Sequence, residues 1–243
     1  MEYMKREPSR RARLSPSIRS VVALAVNYHH PEDPKPSVAS AGKVARYAYG
    51  DDYHKVIEKK LKRLAVYVRQ MGGPDTEARA YVDTGPVLER AFAQKAGLGF
   101  AGKNTNLITR DYGSWVFLAC LLTNLELETD APHTGSCGSC RLCLDACPTG
   151  ALLGNYTLDA QRCISYWTIE SKERAPQELR ERFGDWAFGC DICQEVCPYN
   201  FRAKTTRHAE LYPQKKAGTW LDLEKLEIAP GSPLRRSKTL ALG

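Results

Sequence analysis

No stretch of the 243 residues approaches the ~20 consecutive apolar positions that a membrane-spanning helix needs. The longest uncharged apolar runs, residues 21–26 and 115–122, fall far short, so a helical membrane protein is excluded. An export signal is missing too. Met1-Glu2-Tyr3-Met4-Lys5-Arg6 has no apolar stretch, and Arg10-Arg11 is followed by Ala12-Arg13 rather than a hydrophobic region, so a cytoplasmic location is expected. Internal repeats and low-complexity tracts are absent, which argues against a solenoid. What is present is ordinary for a folded chain: 43% hydrophobic and 26% charged residues, enough for one or two packed domains.

Acidic charge is in deficit, 28 residues against 35 basic, for a net +7. The surplus lies at the ends. Residues 1–20 contribute +4, residues 202–243 contribute +5, and the middle is −2. Basic ends are commonly solvated tails; here they are also a candidate footprint for a polyanion.

Residues 20–26, rich in Val, read as a buried strand ending at His29-His30-Pro31. Val56, Ile57, Leu61, Leu64, Ala65 and Val68 recur at helical spacing, with Asp51 or Asp52 as N-cap and Gly72-Gly73 as the stop. A second strand is expected over 78–82, then a helix opened by Thr84 and Pro86 and closed near Ala96 by Gly97. Residues 107–109 and 115–122, around Asp111-Tyr112-Gly113, read as a hairpin. The mixture suggests an α+β fold or a mixed sheet with covering helices.

Nine cysteines in a chain expected to stay in a reducing compartment point to metal or redox chemistry rather than disulfides. Eight of them fall between Cys137 and Cys197, beyond a linker-like stretch near residue 130. Cys137, Cys140, Cys143 and Cys147-Pro148 have the spacing C-x2-C-x2-C-x3-C-P. Three thiolates on such a loop cap three irons of a cubane, while the fourth serves a second cluster. A zinc ribbon would want two separated C-x2-C pairs, which this density does not offer. The second run, Cys190, Cys193 and Cys197-Pro198, carries Ala187 where its leading cysteine would stand, and Cys163 is the one cysteine left in the region to replace it. Crossing the fourth cysteines groups Cys137, Cys140, Cys143 and Cys197 on one 4Fe-4S cluster and Cys147, Cys163, Cys190 and Cys193 on another. Cys120, inside an apolar run, is expected to be a buried, inert thiol.

Three further segments carry a resemblance. They are Arg46-Tyr47-Ala48-Tyr49-Gly50-Asp51-Asp52-Tyr53-His54, then Tyr81-Val82-Asp83-Thr84-Gly85-Pro86-Val87-Leu88-Glu89-Arg90, then Gly97-Leu98-Gly99-Phe100-Ala101-Gly102-Lys103-Asn104-Thr105-Asn106-Leu107-Ile108. In this order, and followed by the two cysteine runs, they closely resemble the epoxyqueuosine reductase family over almost the whole chain. The resemblance implies a cobalamin-dependent reductase with two 4Fe-4S clusters that converts epoxyqueuosine to queuosine in the anticodon loop of tRNA. A low-potential donor of ferredoxin or flavodoxin type and a monomeric state go with it. It implies an α+β fold: a cobalamin-binding mixed-sheet domain similar to flavin reductases over residues 1–130, then a two-cluster ferredoxin-like domain over 131–201. Residues 202–243 form a basic segment in which 231–238 resemble the lead into a helical-repeat region that helps hold tRNA. Family members begin some tens of residues before the segment that Met1-Glu2-Tyr3-Met4 resembles.

The resemblance also implies that Arg6, Arg46, Asp83, Lys103, Asn104, Thr105 and Ser114 line the cofactor site. By itself Gly99 to Lys103 reads as a plain glycine-rich turn. The pattern that supplies an axial imidazole, Asp-x-His-x-x-Gly, begins at Asp52-Tyr53-His54 but has Ile57 in place of glycine, which disfavours an imidazole-ligated cofactor. Asp83 before Thr84-Gly85-Pro86 reads alone as a turn or cap residue. The family's matching aspartate is the proposed proton donor to the epoxide oxygen, a role that requires burial to raise a carboxyl pKa well above ~4. Lys103 would oppose that if it stood close to Asp83.

Two other classes fit parts of the pattern. A reductive dehalogenase-like corrinoid enzyme would share cobalamin and two clusters but act on a small molecule, usually after export. A ferredoxin-like carrier would use residues 131–201 and leave the first 130 without a role.

Overall fold

A computed structural model of the chain describes residues 15–31, 33–37, 40–213 and 218–224. Arg6 and much of the basic charge of the two ends, Arg235 and Arg236 included, lie outside them.

The first sheet is antiparallel with strand order β1-β6-β3, where β1 is Ser20–Asn27, β3 is Ala78–Tyr81 and the central β6 is Val116–Thr123. Both faces of β6 are covered, which is why its sequence is continuously apolar rather than alternating. Phe117, Ala119 and Leu121 face helix α1 (Tyr53–Gly72), which buries Ile57, Leu61 and Ala65 at spacings of four. Ile57 and Leu61 each contribute roughly 1.5 to 3 kcal/mol by leaving water. On the opposite face Cys120 and Leu122 pack with Val87 and Phe92. Asp52 caps α1 by accepting the His54 N–H at 3.0 Å, and the helix stops at Gly72.

Two expectations are corrected. The helix opened by Thr84 and Pro86 starts later: α2 is Glu89–Lys95, because Asp83 takes φ +55 and the Thr84 N–H turns back onto the Val82 carbonyl at 2.6 Å. Residues 107–122 are not a simple hairpin. β5 (Leu107–Ile108) pairs with β4 (Phe100–Ala101), and the turn contributes a single bridge between Thr109 and Gly113. β6 has its two edges taken by β1 and β3, so no edge is left for its sequence neighbour.

The second sheet has strand order β10-β2-β9. β2 (Ala41–Val44) lies at its centre, parallel to β9 (Trp186–Phe188) and antiparallel to β10 (Trp220–Asp222). It ties the early chain directly to the cysteine region. Ala187 is buried there, and a Cβ at Gly42 would come within 2.6 Å of the Ala187 methyl. The position where a leading cysteine would stand therefore faces a strand.

The cysteine region is built of short pieces: α3 (Leu142–Ala146), the hairpin β7 (Leu152–Gly154) and β8 (Thr157–Leu158), α4 (Gln177–Arg180) and α5 (Ile192–Glu195). α3 and α5 pack against each other. Each is followed by a cysteine in extended conformation and a proline, Cys147-Pro148 and Cys197-Pro198, which turns the fourth thiol away from its own loop.

Candidate functional site

The eight cysteines divide around two cavities. A narrow one is lined by Cys137, Cys140, Cys143 and Cys197 with Lys103, Asn104 and Tyr199. A wider one, of 350 Å³, is lined by Cys147, Cys163, Cys190 and Cys193 with Tyr47, Tyr53, Asn104, Thr105 and Phe117. Asn104 is common to both, so the cavities adjoin. Burial pushes up the thiols of Cys143, Cys163, Cys193 and Cys197, and that of Cys190 to about 12. A thiolate buried in this way needs a nearby cation to offset its desolvation, as a metal centre would supply. Burial would raise Cys147 as well, but the Thr149 hydroxyl and the Ala151 N–H, 3.3 Å from its sulfur, hold it below the usual thiol range. Among the described residues no three His, Cys, Asp or Glu side chains converge on a single metal ion. A cubane bound at its outer corners takes a wider ring of thiols. Cys120 is fully buried in β6, and burial pushes its thiol up to about 12, an unreactive state.

The glycine-rich turn 99–105 reaches into this region. The Lys103 ammonium donates to the carbonyls of Gly138 and Cys140 at 2.7 and 2.9 Å, and its backbone N–H points at the Cys137 sulfur at 3.4 Å. Lys103 thus faces the first cysteine loop rather than Asp83. Asn104 is buried and donates to the Cys193 carbonyl at 3.3 Å, while Thr105, at φ +65, lines the wider cavity and accepts from Arg90.

Ser114 is enclosed elsewhere: its hydroxyl accepts from Gln194 at 3.0 Å and from Asn200 at 2.9 Å, and its N–H donates to Asn200 at 2.7 Å. Gly113, at φ +55, allows this contact, because a Cβ there would collide with the Asn200 side chain. Arg46 donates to Asp191 and Glu195 at 3.3 and 2.9 Å and lies 4.8 Å over the Trp115 ring. Burial pushes the Asp191 carboxyl up to about 6 despite the pull of Arg46. Burial would raise Glu195 too, but hydrogen bonds from Arg46 and Lys43 keep it below the usual carboxylate range. Arg46 and Ser114 therefore brace the second cysteine loop from behind.

A third cavity, of 1110 Å³, shares Tyr47 and Tyr53 with the wider cysteine cavity. Its apolar wall includes Val44, Ile169, Phe188 and Leu221, its rim carries Lys55, Lys59, Lys60 and Arg63 from α1, and Asp83 lies on its lining. Ile169 and Glu170 are delivered by a π-type turn, Tyr166–Glu170, three residues beyond Cys163. The burial expected of Asp83 is not found: its side chain is 60% exposed within the chain itself. It is nonetheless held firmly. The Tyr53 hydroxyl donates to its Oδ2 at 2.7 Å, His54 Nε2 stands 3.3 Å from the same oxygen, and its own N–H donates to Glu89 at 2.6 Å. Burial, and then the Asp83 carboxylate beside it, push the Tyr53 hydroxyl up, so Tyr53 stays a donor near neutral pH. Gln194 and Asn200 were not singled out from the sequence; Tyr53 and His54 stand in a segment that carries the resemblance, where His54 was weighed only as an axial imidazole and not as a partner of Asp83.

Comparison with known proteins finds named relatives. Residues 9–84 match the family model described as "Epoxyqueuosine reductase QueG, DUF1730", and residues 136–200 match "4Fe-4S double cluster binding domain". The chain is 48% identical over 202 residues to an epoxyqueuosine reductase of Synechocystis sp., covering 82% of this chain and 69% of that protein. It is similar to the crystal structure of an epoxyqueuosine reductase with an epoxyqueuosine-modified tRNA-Tyr stem loop, with TM-score 0.81 and 38% identity over 92% of this chain and 58% of that one. A Bacillus subtilis epoxyqueuosine reductase whose catalytic loop is swung out of the active site matches with TM-score 0.79 and 38% identity over 86% of this chain and 55% of that one. The chain thus spans a little over half the length of these crystallised relatives. A reductive dehalogenase structure is 19% identical with TM-score 0.50, a likeness of fold alone. On the cysteine runs, the two matched models and the identity to named relatives, this chain belongs to the epoxyqueuosine reductase family.

Proposed function

We propose that the chain reduces epoxyqueuosine to queuosine in the anticodon loop of tRNA, using two 4Fe-4S clusters and cobalamin. The observation that carries this reading is the order of the three cavities, joined through Asn104 and then through Tyr47 and Tyr53, and ending at Asp83. In this reading Cys137, Cys140, Cys143 and Cys197 hold the outer cluster, and Cys147, Cys163, Cys190 and Cys193 the inner one. The clusters supply one-electron carriers.

The 1110 Å³ cavity suits a large macrocycle, since Tyr47, Ile169, Phe188 and Leu221 offer an apolar face. His54 also lies on the lining, with its ring nitrogens facing Asp52 at 2.9 Å and Asp83 at 3.3 Å. Cobalamin held there would supply a two-electron metal centre able to open a strained carbon–oxygen bond. Asn104 and Thr105 face the space behind it, whereas Arg46, Lys103 and Ser114 support the cluster loops.

Asp83 donates the proton that the departing oxygen requires. The cover that a proton-donating carboxyl needs comes from cofactor and RNA, which close over its exposed face. Lys55, Lys59 and Arg63 on the rim suit the phosphates of an anticodon stem, joined by the basic ends outside the described residues. A tRNA substrate places the reaction in the cytoplasm. The donor is a low-potential ferredoxin or flavodoxin, for which exposed Leu142 and Tyr199 on the outer cavity offer a contact face. The chain acts as a monomer.

The test is anaerobic reconstitution of the chain with iron, sulfide and cobalamin. Metal analysis and visible spectra should find both clusters and one cobalamin without a histidine ligand. A chain that takes up iron but no cobalamin would overturn the cofactor reading.

A further inference from the structure

His54 joins two carboxylates. Its Nδ1 lies 2.9 Å from Asp52 Oδ1 and its Nε2 lies 3.3 Å from Asp83 Oδ2. A neutral imidazole has one N–H and can donate to only one carboxylate; both contacts form together when the ring is an imidazolium, or when one carboxyl is protonated. Only the imidazolium donates to both, and in that form the ring presents an Nε2–H to Asp83 while Nδ1–H stays on Asp52. The ring is fixed for this task. It stacks on Tyr53 at 4.0 Å, Tyr53 stacks on Phe117 at 4.1 Å and 4°, and the first turn of α1 is pinned by the Asp52 cap. The side chain of His54 is 36% exposed within the chain itself.

The stoichiometry of the proposed reaction asks for such a group. Removing the epoxide oxygen breaks both of its carbon–oxygen bonds and leaves an alkene, with two electrons entering from the low-potential donor. The oxygen departs as water and takes up two protons. Asp83 carries one. Once the oxygen is covered by RNA and cofactor, the second must reach Asp83 without the complex opening.

We propose that His54 reloads Asp83 within each turnover. After Asp83 has protonated the oxygen, His54 Nε2–H passes its proton to Asp83 Oδ2, and Asp83 delivers it as the second carbon–oxygen bond breaks. The neutral ring, still held by Asp52 through Nδ1–H, regains a proton from solvent when the product leaves. His54 acts through Asp83 and is a positioning and relay residue; Asp52 orients it. This inference rests on the reading of Asp83 as proton donor.

The test compares wild type, His54→Gln, Asp52→Asn and Asp83→Asn. All are loaded with clusters and cobalamin, reduced chemically and mixed with an anticodon stem loop bearing epoxyqueuosine. His54→Gln keeps a polar side chain beside Asp83 but cannot carry a proton. Its rate of queuosine formation should fall about 100-fold, within the range typical of acid–base catalysis. Added imidazole should restore much of that rate, with cofactor content and stem-loop affinity unchanged. Asp52→Asn retains an efficient helix cap, so a smaller loss, also relieved by imidazole, is expected. His54→Gln within twofold of wild type, or a loss that imidazole does not relieve, would overturn the relay. An active Asp83→Asn would instead overturn the reading of Asp83, which separates the two failures.

Discussion

Arg46 and Asp191, separated by 145 residues, meet twice on one oxygen: the Arg46 backbone N–H donates to Asp191 Oδ2 at 2.7 Å and its guanidinium at 3.3 Å. Asp191 is buried and sits directly after Cys190, so this contact anchors the second cysteine loop to the segment that follows β2. Removing one member of a buried ion pair strands the other, at a cost of about 3 to 5 kcal/mol. Arg46→Ala should lose that much in denaturant unfolding and release iron faster, and Arg46→Ala with Asp191→Asn should recover part of the stability. A single variant as stable as wild type would contradict the bracing role.

Iron content tests the thiol grouping. The reconstituted chain should carry about eight irons, Cys163→Ala about four, and Cys120→Ala the full number. Cys163 lines the wider cavity, while Cys120 is enclosed by Val87 and Leu122 in the first core. Full iron and sulfide in Cys163→Ala would remove Cys163 from the ligand set.

The same pair of cysteines shows what was legible in the sequence. Cys163 could be reached by counting, because the second run has Ala187 in the first place; the physical reason, a methyl facing Gly42 across a parallel strand pair, is a long-range pairing that no local pattern encodes. Helix α1 was legible to within a residue of its cap, Asp51 or Asp52, since Ile57, Leu61 and Ala65 repeat every four residues before Gly72. The partners of β6 were not. A strand covered on both faces looks the same whether it pairs with its neighbour in sequence or with β1 nearly a hundred residues earlier. The resemblance pointed to Asp83 and Lys103, but not to the exposure of one carboxylate or to the carbonyls that hold the other side chain. Side-chain direction within an irregular turn such as 99–105 follows from tertiary contacts alone.

The rim of the large cavity makes a prediction about salt. Lys59 and Arg63 stand four residues apart on α1, whereas the neighbouring Lys60 and Lys62 approach Glu210 and Glu58. For each cation that meets a phosphate, the slope of log affinity against log salt should fall by about 0.7 to 0.9 when it is removed. Stem-loop binding by Lys59→Ala with Arg63→Ala should therefore be weaker and less salt-dependent than wild type. An unchanged slope would place the RNA elsewhere.

Gly113 offers a test of the support behind the cysteines. Gly113→Ala forces a Cβ against Asn200 at φ +55, displacing the side chain that links Ser114 to the Gln194 carbonyl. A destabilisation of about 1 to 3 kcal/mol is expected from the backbone strain alone. Thermal unfolding of the reconstituted variant, followed by cluster absorbance, should show earlier loss of the clusters. Wild-type behaviour would mean that the network does not support the fold.

The central claim is that Asp83, at the end of the three cavities, protonates the oxygen of an epoxide on RNA. Asp83→Asn keeps the size of the side chain and can still accept from Tyr53, but an amide cannot deliver a proton near neutral pH. The direct measurement is single-turnover formation of queuosine from an epoxyqueuosine-bearing anticodon stem loop, using chemically reduced protein with iron and cobalamin content verified. The account predicts product from the wild-type chain and a loss of at least about 100-fold in Asp83→Asn at equal cofactor content. Equal product from the variant, or none from the fully loaded wild-type chain, would contradict it.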